Sequence, residues 1–212
     1  MAYYKMINDN TVDYNGMNLT TAELDVYLQR IPVTERLMID ELHAVNNQLT
    51  EIPESILLLK NLKRLYLYTN CIQHIPEWIG MLTSLNTLNV RYNKIQTLPR
   101  SIGNLVNLEL LYLTDHNLSS IPSSIHKLTK LSYIDTHGSH LLPWQFRFHH
   151  SNDYARTQQA IFDIACEEWK KRCQTAIVTW ILVGKNIRLH KDIVQLIARL
   201  VFDSRTNGVW EE

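Results

Sequence analysis

The sequence predicts an α/β solenoid: a right-handed parallel β horseshoe segment of about five repeats, with an N-terminal cap helix and a C-terminal helical cap. Three observations predict it. The pattern Leu62, Leu65, Leu67, Asn70, Ile72, Ile75, Pro76, Ile79, Leu82 returns without a gap at an offset of 23 residues, as Leu85, Leu88, Val90, Asn93, Ile95, Leu98, Pro99, Ile102, Leu105. It returns again as Leu108, Leu111, Leu113, Leu118, Ile121, Pro122, Ile125, Leu128. From Asp153 onward the apolar period changes from this cadence to a helical one.

Each unit reads as a strand followed by a return segment. Places four and six of the unit (Leu65 and Leu67) share one face of an extended strand, because side chains alternate with period two. Asn70, at place nine, stands where the chain turns away from the strand. Backbone groups there have no ladder partner, and a column of amides with donor and acceptor ends can supply one. Pro76, with φ preset, suits the start of a short helical or extended return. One unit cannot stand alone: burying its aliphatic side chains does not repay the ordering of its backbone, so neighbours must share faces.

The chain before and after this register divides accordingly. Residues 1–38 form an N-terminal segment with a cap helix, 39–145 the repeats, and 146–212 a C-terminal helical domain. Thr20 can cap a helix running to Gln29, with Glu23 closing a capping box and Leu24 and Leu28 as its apolar pair. Ile31-Pro32 echoes the repeat's Ile-Pro and reads as a degenerate half-unit. The first full unit runs from Ile39 through Leu42, Ala44, Asn47, Leu49, Ile52, Pro53, Ile56 and Leu59. The fourth has His116 in place of the Asn. The fifth, from Leu131, keeps Ile134 but has Thr136 and Ser139 at core places. After the aromatic stretch Pro143–His150, Ile161, Ile164, Ala165, Trp169, Cys173, Ala176, Trp180 and Val183 fall on one helical stripe. Ile193, Leu196, Ile197, Leu200 and Val201 fall on another.

Composition narrows the function classes. Lys and Arg number 21, as do Asp and Glu, so no global field favours nucleic acid or an anionic membrane. Cys71, Cys166 and Cys173 are too few, and odd, for a disulfide framework, which points to a reduced intracellular setting. No stretch is apolar over the roughly 20 residues a spanning helix needs, and the first residues lack the apolar core of a signal peptide. A soluble intracellular protein, in cytoplasm or nucleus, is the expectation.

If places one, four and six face the core, places two, three, five, seven and eight line the inner, concave wall. Column five reads His43, Tyr66, Asn89, Tyr112, Asp135. Column seven reads Val45, Tyr68, Arg91, Thr114, His137, and column three reads Glu41, Arg64, Thr87, Leu110, Tyr133. Column eight adds Tyr92. The candidate partner-binding residues are therefore Arg64, Tyr66, Tyr68, Asn89, Arg91, Tyr92, Leu110, Tyr112, Tyr133 and Asp135. Tyr and Arg dominate interface energetics because they combine rigid area with a polar end. Strands lie about 4.8 Å apart, which brings Tyr66 and Tyr68 within reach of Asn89 and Arg91. The plainer alternative is that Tyr is simply a good strand former with a wet hydroxyl.

Catalytic and cofactor chemistry is missing from the pattern. The six glycines are scattered and form no phosphate loop; Gly80 and Gly103 punctuate the repeat. His149-His150 with Cys166 or Cys173 matches no zinc spacing, and those thiols read as buried structural ones. Cys71 and His74 have no third group to orient a nucleophile, and Asp115-His116 reads as a local replacement in the Asn column. No enzyme activity, no metal and no cofactor is the expectation.

With the repeat laid out, Leu-x-x-Leu-x-Leu-x-x-Asn-x-Ile-x-x-Ile-Pro-x-x-Ile-Gly-x-Leu resembles the intracellular, Ras-group class of leucine-rich repeat proteins, over Ile39 to about Trp144. The resemblance implies a leucine-rich repeat solenoid of the kind that holds small GTPases, phosphatases or kinases. Cys173-Gln-Thr-Ala-Ile, the stretch Leu189 to Arg205 and Trp210 look like the C-terminal module of repeat proteins from giant DNA viruses, marseillevirus-like ones especially. That implies a viral protein acting on host components or packaged in the virion. Leu189-x-x-Asp192-Ile193-x-x-Leu196-Ile197 also resembles the opening of an F-box, which docks the Skp adaptor of ubiquitin ligases, with His190 where that motif has Pro. Three functions are therefore expected to compete: a non-catalytic protein-protein interaction scaffold, an F-box-like substrate adaptor and a structural virion component.

Overall fold

The computed structural model describes residues 10–114, 118 and 120–136, and the backbone of 5–8. The chain divides into two compact units, Met1–Ala165 and Cys166–Glu212, and every described residue belongs to the first. The helical stripes after Asp153, the aromatic stretch Pro143–His150, Cys166, Cys173 and the F-box-like and virus-like segments lie outside the described residues. So do Asp115, His116, Asn117, His137 and Ser139.

Seven strands form one sheet in sequence order: β1 (Lys5–Asn8), β2 (Thr11–Asp13), β3 (Glu41–His43), β4 (Arg64–Tyr66), β5 (Thr87–Asn89), β6 (Leu110–Tyr112) and β7 (Tyr133–Asp135). β1 is antiparallel to β2; from β2 to β7 every pair is parallel. The register aligns Val12, Leu42, Leu65, Leu88, Leu111 and Ile134. That column is buried, as is the one formed by Tyr14, Ala44, Leu67, Val90, Leu113 and Thr136. These are the fourth and sixth places of the repeat.

The return segments also follow from local chemistry. Pro53, Pro76, Pro99 and Pro122 stand at the N-caps of short 3-10 turns, Glu54–Leu58, Glu77–Met81, Arg100–Asn104 and Ser123–Lys127. With φ between −69° and −73°, each offers its carbonyl to the N–H three residues on, as in Ile79 N–H to Pro76 O at 3.1 Å. Ile56, Ile79, Ile102 and Ile125 then point into the core with no exposure. Gly80 and Gly103 are more than punctuation. A Cβ at Gly80 would lie 2.6 Å from the Ser101 carbonyl, and one at Gly103 only 2.3 Å from that of Ser124, so successive turns pack at backbone distance there.

The amide column is present. Asn70 donates to the Ala44 and Leu67 carbonyls at 2.9 and 3.0 Å and accepts from Leu49 N–H at 3.1 Å. Asn93 repeats this with Leu67, Val90 and Ile72 one unit later, and Asn47 with Tyr14, Val45 and Leu19 one unit earlier. Each side chain ties its own coil to the one before it.

Helix α1 (Thr21–Arg30) begins with the full capping box: Thr20 accepts from Glu23 N–H, and Glu23 accepts from Thr20 N–H. Leu24 and Leu28 are its buried pair. The short α2 (Val33–Arg36) follows. The N-terminal region departs from expectation in one respect. Ile31-Pro32 belongs to a fuller coil than the expected half-unit: Ile31 is buried where α1 ends, and Pro32 N-caps α2 as Pro53 N-caps its 3-10 turn. That coil begins earlier, where Val12, Tyr14 and Leu19 occupy the core places that Leu42, Ala44 and Leu49 hold in the next coil. Thirty residues separate Val12 from Leu42 because α1, a longer element, stands where later coils use a 3-10 turn. Among the described residues no helix is long and apolar enough to cross a membrane.

Candidate functional site

Among the described residues the sheet has one face on the core and one open face, and all ten candidate residues lie on the open face. Arg64 and Tyr66 are on β4, Asn89 on β5, Leu110 and Tyr112 on β6, and Tyr133 and Asp135 on β7. Tyr68, Arg91 and Tyr92 follow the ends of β4 and β5. Tyr92 alone of the ten is exposed, at 53%; the rest are half-buried, Leu110 included, because their side chains lie against one another across the strands. Val45, Thr87 and Thr114 share these columns and yet are buried. They are short side chains between taller ones, as Thr87 is between Arg64 and Leu110 in register.

Two clusters organise the face. In the first, Glu41 accepts from Arg64 Nε at 2.9 Å and pairs with Arg64 Nη2 at 2.8 Å, while His43 Nε2 lies 2.7 Å from its other oxygen. Asp40 adds a looser contact to Arg64 at 3.6 Å. The His43 ring packs on Tyr66 with centroids 4.7 Å apart. Burial raises the Glu41 pKa, but the hydrogen bonds from His43 and Arg64 outweigh it and hold the carboxyl below its usual range. The same hydrogen bond raises the Arg64 guanidinium. Burial, helped by the Glu41 charge, pushes the Tyr66 phenol up.

In the second cluster Arg91 stretches across β6. Its guanidinium lies 4.3 Å over the Tyr112 ring and its Nη2 donates to Asp135 Oδ2, which also accepts from Thr114 Oγ1 at 2.7 Å. Tyr112 and Tyr133 pack with centroids 5.2 Å apart. Burial, then the nearby Asp135 charge, raises the Tyr133 phenol. Between the clusters is an open cavity of about 350 Å³ lined by His43, Tyr66, Tyr68, Asn89, Arg91 and Tyr92.

The structure thus joins Tyr66, Tyr68, Asn89, Arg91 and Tyr92 around one hollow, and sets Tyr112, Tyr133 and Asp135 beside it. Neither arginine points free into solvent as the column pattern suggests; each is held by a carboxylate of this same face. Glu41 and His43 are site residues that sequence reasoning placed in the columns but passed over. The signal was there: Glu41 and Arg64 are opposite charges at one place of successive units, and so face each other in a parallel register.

Strain marks the rim. Gly16, Asn46, Thr69 and Tyr92 stand at corresponding places of successive coils, and all are left-handed, with φ of 65°, 55°, 59° and 53°. Glycine and asparagine suit that backbone; a β-branched Thr and a bulky Tyr do not. Cys71, just beyond, is a free half-buried thiol. Among the described residues no group of three His, Cys, Asp or Glu side chains is placed to hold a metal ion.

Residues 39–95 match the family described as leucine rich repeat. Over those residues the repeats are leucine-rich repeats. One solved structure supports the fold, and others are similar over part of the chain. A leucine-rich repeat protein of Leptospira interrogans is similar at 22% identity and a TM-score of 0.52, over 71% of this chain and 41% of that one. The BIR3–SERK2 complex from Arabidopsis thaliana is similar at 26% identity and 0.48, over 62% and 68%. An internalin of Listeria monocytogenes is similar at 28% and 0.46, over 54% and 34%. This chain therefore spans less than half the length of the Leptospira protein. No curated protein sequence matches it.

Proposed function

We propose that this chain is a non-catalytic scaffold that binds a protein partner on the open face of its leucine-rich repeat sheet. One observation carries the reading: five tyrosines, Tyr66, Tyr68, Tyr92, Tyr112 and Tyr133, share a face whose ion pairs are satisfied internally. Rigid aromatic area with hydroxyl donors at its tips is what hot spots are made of, and a sheet holds it without ordering cost on binding. Because the charges are already paired, the partner is gripped by ring contact and hydrogen bonding rather than by net charge. Nucleic acid, which needs unneutralised cations, does not suit this face.

The finer reading is of an intracellular protein of viral origin acting on host components. It rests on the Ras-group form of the repeat, on the free thiol at Cys71, and on the resemblance of the C-terminal segment to modules of giant DNA viruses. Proximity labelling in cells expressing the full chain tests both levels. The expected result is one dominant protein partner, lost from the triple variant Tyr66→Ala/Tyr68→Ala/Tyr92→Ala while the melting temperature is retained. Each hot-spot tyrosine contributes about 2 kcal/mol, so purified partner should bind at least about 30-fold more weakly. Unchanged affinity of that partner for the triple variant rules the open face out.

A further inference from the structure

The cavity on the open face has a definite chemistry. Its volume of about 350 Å³ is near the lower end of ligand pockets, which start at about 300 Å³, and suits one large side chain rather than an extended ligand. Tyr66, Tyr68, Tyr92 and His43 give it aromatic walls. The charges around it are already paired: Arg91 is bound through Nη2 to Asp135 and stacked on Tyr112, with its buried Nε left without a hydrogen-bond partner, and His43 is bound to Glu41. An anion entering would meet a cation already neutralised. A cation would meet the like charge of the Arg91 guanidinium in the lining. A neutral ring meets tyrosine faces and edges, with the Asn89 amide and phenol hydroxyls in the lining to hydrogen-bond a hydroxyl or indole N–H.

Tyr92 gives an independent pointer. At its place in the coil the backbone is left-handed, and the earlier coils carry the smaller residues Gly16, Asn46 and Thr69 there. A bulky aromatic at φ 53°, with half its surface in solvent, gains little for the fold. Strain of this kind persists where the side chain is used.

We propose that this cavity is an anchor pocket for one neutral aromatic side chain of the protein partner, tyrosine, phenylalanine or tryptophan, with Tyr92 as its outer wall and selectivity-determining residue. The proposal rests on the open face being the binding surface and adds what that surface takes hold of.

Ligand-observed saturation-transfer NMR on the full chain tests it, with N-acetyl-tyrosinamide and N-acetyl-tryptophanamide as probes against N-acetyl-leucinamide, N-acetyl-lysinamide and N-acetyl-aspartamide. The aromatic amides should bind in preference to the other three, and Tyr92→Gly should weaken them about two- to tenfold, the worth of one stacked ring. The melting temperature of that variant should not fall. Equal binding of all five amides, or aromatic binding unchanged in Tyr92→Gly, overturns the proposal. A random peptide library displayed on phage and panned on the chain separates this from the broader reading. Selected peptides that lose binding to Tyr112→Ala/Tyr133→Ala and share an aromatic position support the pocket. Peptides lost from that variant but sharing no aromatic position sink the pocket and leave the open face standing.

Discussion

Arg91 reaches past the whole of β6 to close an ion pair with Asp135 on β7, and rests on Tyr112 on the way. The pair braces three coils from the open side of the sheet, where the core contributes nothing. Both residues are candidates for holding a partner; in the folded chain they first hold each other.

Breaking that pair should cost stability as well as binding. Asp135→Asn removes a charge-assisted hydrogen bond at a carboxylate that is 13% exposed, and the expected loss is about 1–2 kcal/mol in urea denaturation. It also leaves Arg91 uncompensated, so any binding on this face should become dependent on salt. Arg91→Lys should not restore the wild-type value, because an ammonium keeps the charge but loses the planar stack on Tyr112.

The amide column should be the most sensitive polar feature of the repeats. Asn93→Ala strands Ile72 N–H and the Val90 carbonyl, and leaves the Leu67 carbonyl with Asn70 as its side-chain donor. At about 1–3 kcal/mol per buried group, a loss of about 3–5 kcal/mol is expected. Asn93→Asp should not rescue it: a carboxylate can accept from Ile72 but cannot donate to two carbonyls. Chemical denaturation of the two variants checks both statements.

Backbone demands predict opposite signs at two positions. Gly103→Ala places a methyl 2.3 Å from the Ser124 carbonyl and must push two coils apart, a loss of about 1–3 kcal/mol or more. Thr69→Gly relieves a β-branched residue at φ 59° on an exposed site and should raise stability by about 0.5–1 kcal/mol. A melting temperature that moves the same way in both variants would contradict the assignment of strain.

Glu41 gives the protein part of its acid sensitivity. Its pKa is lower folded than its ordinary 4.5, so it binds protons more readily unfolded. The stability it contributes is fully present above that ordinary value and is lost as the pH falls through the lower folded value. Glu41→Gln should therefore lower the melting temperature at neutral pH, flatten its fall in acid, and converge with the parent protein at the acid end. A constant difference between the two curves at every pH would show that Glu41 acts by packing alone.

Much of this was legible beforehand because the repeat states each constraint several times. Leu65, Leu88 and Leu111 agree on where the core is. Asn70 and Asn93 agree on where an unpaired turn needs an amide. Thr20 and Glu23 announce α1, since a capping box involves only residues three apart. The missed features are the unrepeated ones. Val12 and Tyr14 form a coil with no cadence to reveal it, because α1 stretches its spacing to thirty residues. The link from Arg91 to Asp135 joins different columns two coils apart, a diagonal that no single column displays.

By itself the sequence determined the coil: which side chains face inward, where the chain turns, and that tyrosines gather on the other side of the strands. Those properties depend on alternation and local hydrogen bonding, which act over a few residues and repeat. Tertiary structure alone decided how that face is wired. Whether an arginine is free or bound to a carboxylate, and whether three tyrosines enclose a hollow or lie flat, depends on distances between coils. Those distances are set by core packing and by backbone contacts such as Gly103 on Ser124, which a linear pattern does not contain.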